Sequence, residues 1–365
     1  MQKNNFYFPN LNGVRCIASL MVIISHIELN KSYFGISNNF QNVKHLGGLG
    51  VSLFFVLSGF LITYLLLLEK EKYGKINIKF FYLRRVLRIW PVYYLVVLLS
   101  LFVLPALSIF KIPYFHLDFD TNYQFYMICC MFVFFLPNVL ISLKLVPFAT
   151  QTWSIGTEEQ FYLVWPLLIN RVLNFKKWLW SIFLLYNLVL IVLNNSIFDN
   201  IRYIDLIRSY IDLMQMNALS LGAITAFFLY TKNKILSFFI KTGVFFVVLF
   251  LLLISIFYNV QIKYFSSSYY SVLFSVLILS LTSNVDLIKS LENKIFVYLG
   301  KISYGLYMYH QMMIVLCINV LKKWDIVNDF FIYLFSILTT ILISGLSYQF
   351  IEKPFLNYKK YFLKI

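Results

Sequence analysis

Eleven predominantly apolar runs divide this chain, near residues 11–29, 49–68, 89–110, 124–141, 157–173, 178–194, 212–230, 238–258, 268–283, 302–320 and 329–350. Each approaches the roughly 20 residues with which a helix crosses the hydrocarbon core of a bilayer. Lipid offers no water to an unpaired amide, so a chain built of such runs is confined to helices that satisfy their own backbone. The expected fold class is therefore an all-α integral membrane protein. Composition agrees: 61% of the 365 residues are hydrophobic and 13% charged, too apolar for a soluble domain that must cover its surface.

The net charge of +16 would suit nucleic acid if the basic residues formed one stripe. They lie instead in short loops between the runs, which points to topology and argues against a nucleic-acid partner. Segment 69–88 holds seven of them, from Lys70 to Arg88. Placing it inside puts the N-terminus inside, and the cluster Arg171, Lys176 and Lys177 follows only if one run between 124 and 173 fails to cross. About ten transmembrane helices result, with 22 of the 31 Lys and Arg inside, both termini cytoplasmic, and a re-entrant or interfacial segment within 124–160. Such a segment is tolerated only where it is buried in protein or lines a wet cavity.

Cys16, Cys129, Cys130 and Cys317 sit in apolar stretches and read as packing. The first run has no small-residue cleavage site, and there is no linker or repeat. One membrane domain over 1–365, with a core at about 8–356 and no appended soluble domain, is expected.

His26 follows Arg15 by eleven residues, which returns to within about 20° of the same helix face and separates the two by roughly 16 Å along the axis. A neutral imidazole in lipid can take a proton from an attacking hydroxyl. A histidine that only bonds across helices, or sits at the interface, is the competing reading. Arg84, Arg85 and Arg88 open the third run, where clustered guanidinium groups suit phosphate recognition or merely anchor the helix at the inner interface. Glu158 and Glu159 abut an apolar run, where a carboxylate has a partner or else stabilises a helix N-terminus facing water. Neither glycine run, 47–50 or 300–305, is a phosphate-cradling loop; small residues there permit close helix approach. His26, His45, His116 and His310 lack metal-binding spacing, so no metal is expected, and His310 reads as structural.

Taken in order, several stretches resemble the acyltransferase 3 family of bacterial membrane O-acyltransferases. They are Leu11 to Arg15 with His26, Gly50 through Phe60, Arg84-Arg85 with Arg88 and Pro91, Trp153 through Tyr162, Leu299 to His310, and Ile351 to Phe355. The resemblance covers essentially the whole chain. It implies a ten-helix core, an acyl-CoA donor approaching from the cytoplasm, and catalysis by His26 in its spacing from Arg15. Members often carry Asp where this chain has Asn12 and Ser52, so any carboxylate role there passes to Glu158 or Glu159. The function expected is transfer of an acyl group, acetyl by family precedent, from acyl-CoA to a hydroxyl of a cell-envelope polysaccharide, lipopolysaccharide or lipid-linked sugar at a bacterial inner membrane. Arg15, Arg84, Arg85 and Arg88 would hold the donor. A transporter or flippase of lipid-linked sugars is the alternative from another class, since it too would place charge inside the membrane.

Overall fold

The computed structural model describes residues 7–40, 43–113, 121–141, 146–172, 174–234, 236–287 and 289–362. Helices α1 (Leu11–Tyr33), α2 (Leu46–Tyr73) and α3 (Ile78–Leu98) come first, α3 being prolonged by a π turn, Leu99–Val103. There follow α4 (Asn122–Val133), α5 (Pro137–Ile141), α6 (Thr152–Arg171), α7 (Phe175–Leu193), α8 (Ile204–Met214) and α9 (Met216–Tyr230). The last are α10 (Leu236–Phe239), α11 (Thr242–Phe257), α12 (Ser266–Ser283), α13 (Lys294–Lys301), α14 (Ser303–Lys323), α15 (Asp329–Ser347) and α16 (Lys353–Tyr358).

Among the described residues, eight helical stretches are long and apolar enough to cross a membrane. They include α8 joined to α9 across a bend at Gln215, whose φ is 37°, and α15 joined to α16 through a π turn, Tyr348–Glu352. Two further helices fall short for identifiable reasons. Helix α6 has 20 residues but carries Glu158, Glu159 and Arg171, and α11, with 16 residues, extends about 24 Å. Within 124–173, where one run was expected not to cross, the broken one is 124–141. Phe135, at φ 55°, separates the 12-residue α4 from the five-residue α5, and neither piece reaches across a core of about 30 Å.

Helix α2 is the hub, packed against α1, α6, α9 and α12. Its crossing with α9 is reciprocal and very close: a Cβ on Gly59 would fall 2.0 Å from the Leu219 carbonyl oxygen, and one on Gly222 would fall 2.1 Å from that of Val56. Helix α1 is pinned to α15 by a buried ion cluster. Lys31 Nζ lies 2.8 Å from Glu28 Oε1 and 2.7 Å from Asp329 Oδ1, and the Tyr333 hydroxyl donates to the same Glu28 oxygen at 2.8 Å. Helix α1 is thereby fixed between α2 and α14, with Arg15 near one end and His26 near the other.

Candidate active site

A cavity of about 200 Å³ opens between α1, α2, α3, α6 and α14. Arg15 enters it from α1, Arg85 and Arg88 from α3, and Glu158 from α6. None of the three arginines makes an ion pair with a described residue, whereas neighbouring Arg84 does. Arg15 Nη1 donates to Asn12 Oδ1 at 3.2 Å, so the amide at position 12 serves as a neutral acceptor. The Arg85 guanidinium lies 5.7 Å from the ring centroids of both Phe81 and Tyr162, and its buried Nε has no partner. Glu158 does not reach these guanidinium groups by a hydrogen bond. Its Oε1 accepts from the Ser58 hydroxyl at 2.5 Å and its Oε2 from the Tyr162 hydroxyl at 3.0 Å.

A second cavity, of about 320 Å³, lies further along α1 and contains His26. His26 Nδ1 is 2.9 Å from the Val22 carbonyl oxygen. A carbonyl can only accept, so Nδ1 carries the proton and the neutral ring presents the Nε2 lone pair. The first glycine of the 47–50 run makes room for the neighbouring Ser25: a Cβ on Gly47 would meet Ser25 Oγ at 2.8 Å, while His26 Cε1, at 3.6 Å, would be in ordinary contact. Gly50 admits α1 against α2, since a Cβ there would lie 2.7 Å from the Ala18 carbonyl oxygen. Polar groups cluster around the histidine. Asn30 Nδ2 donates to Gln311 Oε1 at 2.9 Å, and Gln151 holds its Oε1 buried without a partner.

The structure thus brings Arg15, Arg85, Arg88 and Glu158 into one cavity and His26 into the other. It does not bring in Arg84, which pairs with Glu69 at 2.9 Å and donates to the Phe362 carbonyl at 3.1 Å, tying α2, α3 and the C-terminal segment together. Glu159 stands outside the lining of both cavities, with a buried Oε1 that has no partner. Neither Glu158 nor Glu159 pairs with His26: Glu158 is bonded to Ser58 and Tyr162 in the other cavity, and the Val22 carbonyl engages His26 Nδ1. Ser52 turns away to Gln215, donating at 2.6 Å.

Three further residues belong to the same region: His310, read from sequence as structural, and Tyr307 and Gln311. Fully buried His310 packs edge-on against His26, with ring centroids 4.8 Å apart. Its Nδ1 faces the Tyr307 carbonyl at 2.6 Å and its Nε2 has no partner. Tyr307 and Gln311 flank it at i−3 and i+1 and line the cavities. Polar groups clustered on one face of an apolar helix were the available signal.

The sequence profile of the acyltransferase domain matches residues 8–349. A protein of Staphylococcus aureus strain COL, provisionally named an O-acetyltransferase, is 31% identical over 96% of this chain and 57% of its own length. Peptidoglycan O-acetyltransferase OatA of Listeria monocytogenes is 29% identical over 98% of this chain and 58% of its own. O-acetyltransferase OatA of Staphylococcus aureus strain NCTC 8325 is 29% identical over 95% and 57%. The chain spans a little over half the length of these curated relatives. No solved structure matches.

Proposed function

The chain belongs to the acyltransferase 3 family, and on that premise we propose that it is a membrane O-acetyltransferase. It takes acetyl from acetyl-CoA bound at the arginine cavity and delivers it to a hydroxyl of an envelope glycan or lipid-linked sugar in the His26 cavity. The observation that carries this reading is the trio Arg15, Arg85 and Arg88, which face one cavity without an ion pair among the described residues. A guanidinium at membrane depth costs on the order of 3 kcal/mol, so three in one cavity call for an anionic ligand. Planar donor forks match phosphate oxygens bidentately, and the phosphates of coenzyme A supply them. Glu158, engaged by Ser58 and Tyr162, offsets part of this charge and fixes α6 against α2 without competing for the guanidinium donors.

The His26 Nε2 lone pair accepts the proton of the acceptor hydroxyl as its oxygen attacks the thioester carbonyl. The new bond joins acyl carbon to acceptor oxygen, and the bond broken joins acyl carbon to sulfur. The proton on Nε2 passes to the departing thiolate, which restores the neutral ring. With the arginine cavity facing the cytoplasm, where acetyl-CoA is made, both termini are cytoplasmic and the acceptor lies on the outer side.

The test is release of coenzyme A thiol from acetyl-CoA by the purified chain in nanodiscs, with a muramidase digest of peptidoglycan as acceptor. Release by wild type that is lost in His26→Gln, with unfolding unchanged, supports the reading. Absence of release by wild type across acyl donors and glycan pools overturns it and favours transport of a lipid-linked sugar.

A further inference from the structure

The two cavities meet at two shared lining side chains, a partition whose composition carries a consequence for donor choice. On α2, residues 47, 51, 54 and 58 recur at i, i+4, i+7 and i+11, which places them on one face. Gly47 and Val51 line the His26 cavity, while Val51, Phe54 and Ser58 line the arginine cavity. On α14 the same pattern runs through Tyr304, Tyr307 and Gln311: the first two line the arginine cavity and the last two the His26 cavity. Among the described residues, Val51 and Tyr307 alone line both cavities. They meet the space from opposite helices at the level where the donor side ends and the acceptor side begins.

Both members of the partition are held in place. The Tyr307 hydroxyl donates to the Gln151 carbonyl at 2.9 Å and shares a 2.7 Å hydrogen bond with Ser154 Oγ, so its ring is anchored to the start of α6. Phe54 packs edge-on against that ring at 5.9 Å. Val51 is β-branched, with one strongly preferred rotamer on a helix, and it sits between Gly50, which seats α2 on α1, and the rest of the buried core. Both side chains that the cavities share are therefore held in one position.

We propose that Val51 and Tyr307 form a width filter for the acyl group, admitting unbranched acetyl from the arginine cavity to His26 and excluding acyl groups that are branched or carry a ring at the carbon next to the carbonyl. This rests on the acyl-transfer reading. Apolar constrictions discriminate by about 10- to 200-fold per misfitting methylene, so the effect is readable as a ratio between donors.

The experiment compares acetyl-, isobutyryl- and benzoyl-CoA as donors for the full chain in nanodiscs, with the peptidoglycan digest as acceptor probe, in wild type, Val51→Ala and Val51→Ile. Val51→Ala raises kcat/KM for isobutyryl- relative to acetyl-CoA by about tenfold or more, and Val51→Ile moves the ratio the other way, which guards against a Val51→Ala chain that does not fold. A ratio unchanged in variants that still use acetyl-CoA overturns the filter while leaving acyl transfer intact. If wild type cleaves no donor, the acyl-transfer reading falls, and the partition is then judged by labelling. In a cysteine-free background, Ser58→Cys lies in the arginine cavity and is exposed to a membrane-impermeant thiol reagent added from the side on which the His26 cavity opens. Labelling blocked by Val51 and restored by Val51→Ala sustains the partition; equal labelling in both overturns it.

Discussion

A single methyl group at the crossing of α2 and α9 tests whether this fold depends on backbone proximity. In Gly59→Ala the new Cβ would stand 2.0 Å from the Leu219 carbonyl oxygen and 2.9 Å from its carbon, while ordinary contact begins at 3.4 Å. The obstacle is backbone, which cannot swing aside, so the helices must part locally by about 1.4 Å, the difference between those contact distances. Overpacking of this kind costs about 1–3 kcal/mol, and in a membrane the lost close packing is a main source of helix association. Gly222→Ala meets the Val56 carbonyl at 2.1 Å in the mirror-image contact and should cost a similar amount. Once the helices have parted for one methyl there is room for the other, so the double variant should cost about as much as either single, giving a coupling of about 1–3 kcal/mol. The assay is equilibrium unfolding in mixed micelles with rising SDS, read by tryptophan fluorescence. Singles within about 0.5 kcal/mol of wild type, or a double equal to the sum of its singles, would refute the reasoning.

His26→Gln should lower the rate of acetyl transfer by about 100- to 10,000-fold without changing the unfolding midpoint, as read by coenzyme A release and fluorescence. Arg88→Ala and Arg84→Ala should separate: the first raises the KM for acetyl-CoA in a fold of normal stability, and the second, by leaving Glu69 buried and unpaired, destabilises the chain by about 3–5 kcal/mol. Lys31→Met should likewise cost about 3–5 kcal/mol by stranding Glu28 and Asp329, and adding Glu28→Gln and Asp329→Asn should recover part of that loss in the same unfolding assay. His310→Ala removes the ring packed on His26 and should reduce kcat by up to about 100-fold through misplacement, with the donor KM little altered in steady-state kinetics.

Apolar runs near the length of a bilayer left few folds open, and the helices stand where that length argument puts them. Boundaries were harder where local geometry interrupts a run. Phe135 and Gln215 adopt positive φ, and neither residue type announces it. The Arg15–His26 stripe was legible because helical periodicity alone places both on one face of α1. Arg84 could not be told from Arg85 and Arg88 by sequence, since all three lie in one basic block; only the fold shows that Glu69, fifteen residues earlier, is brought beside the first of them at 2.9 Å. Assigning a carboxylate to orient the histidine also needed coordinates, because the backbone carbonyl of Val22, one turn back in the same helix, does that work. Tyr307 escaped notice for a related reason: its place is defined by lining both cavities together with Val51, some 250 residues away in the chain.

The separation of the arginines from the histidine has a physical logic in the proposed reaction. Coenzyme A carries several phosphate charges, and moving even one charge through hydrocarbon is expensive. The acetyl group is uncharged and small. A protein that holds the phosphates at one end of α1 and places its base about 16 Å further along the same helix needs to thread only the uncharged pantetheine arm and its acetyl thioester through the interior. No alternating exposure of a bulky anion is then required, and the interior can stay closely packed, as α2 is against α1, α6, α9 and α12. Tight packing around the transfer point also keeps water from the thioester, so that the acceptor hydroxyl beside His26 is the nucleophile that reaches it. A partition at Val51 and Tyr307 is therefore compatible with turnover, because the charged part of the donor never has to cross it.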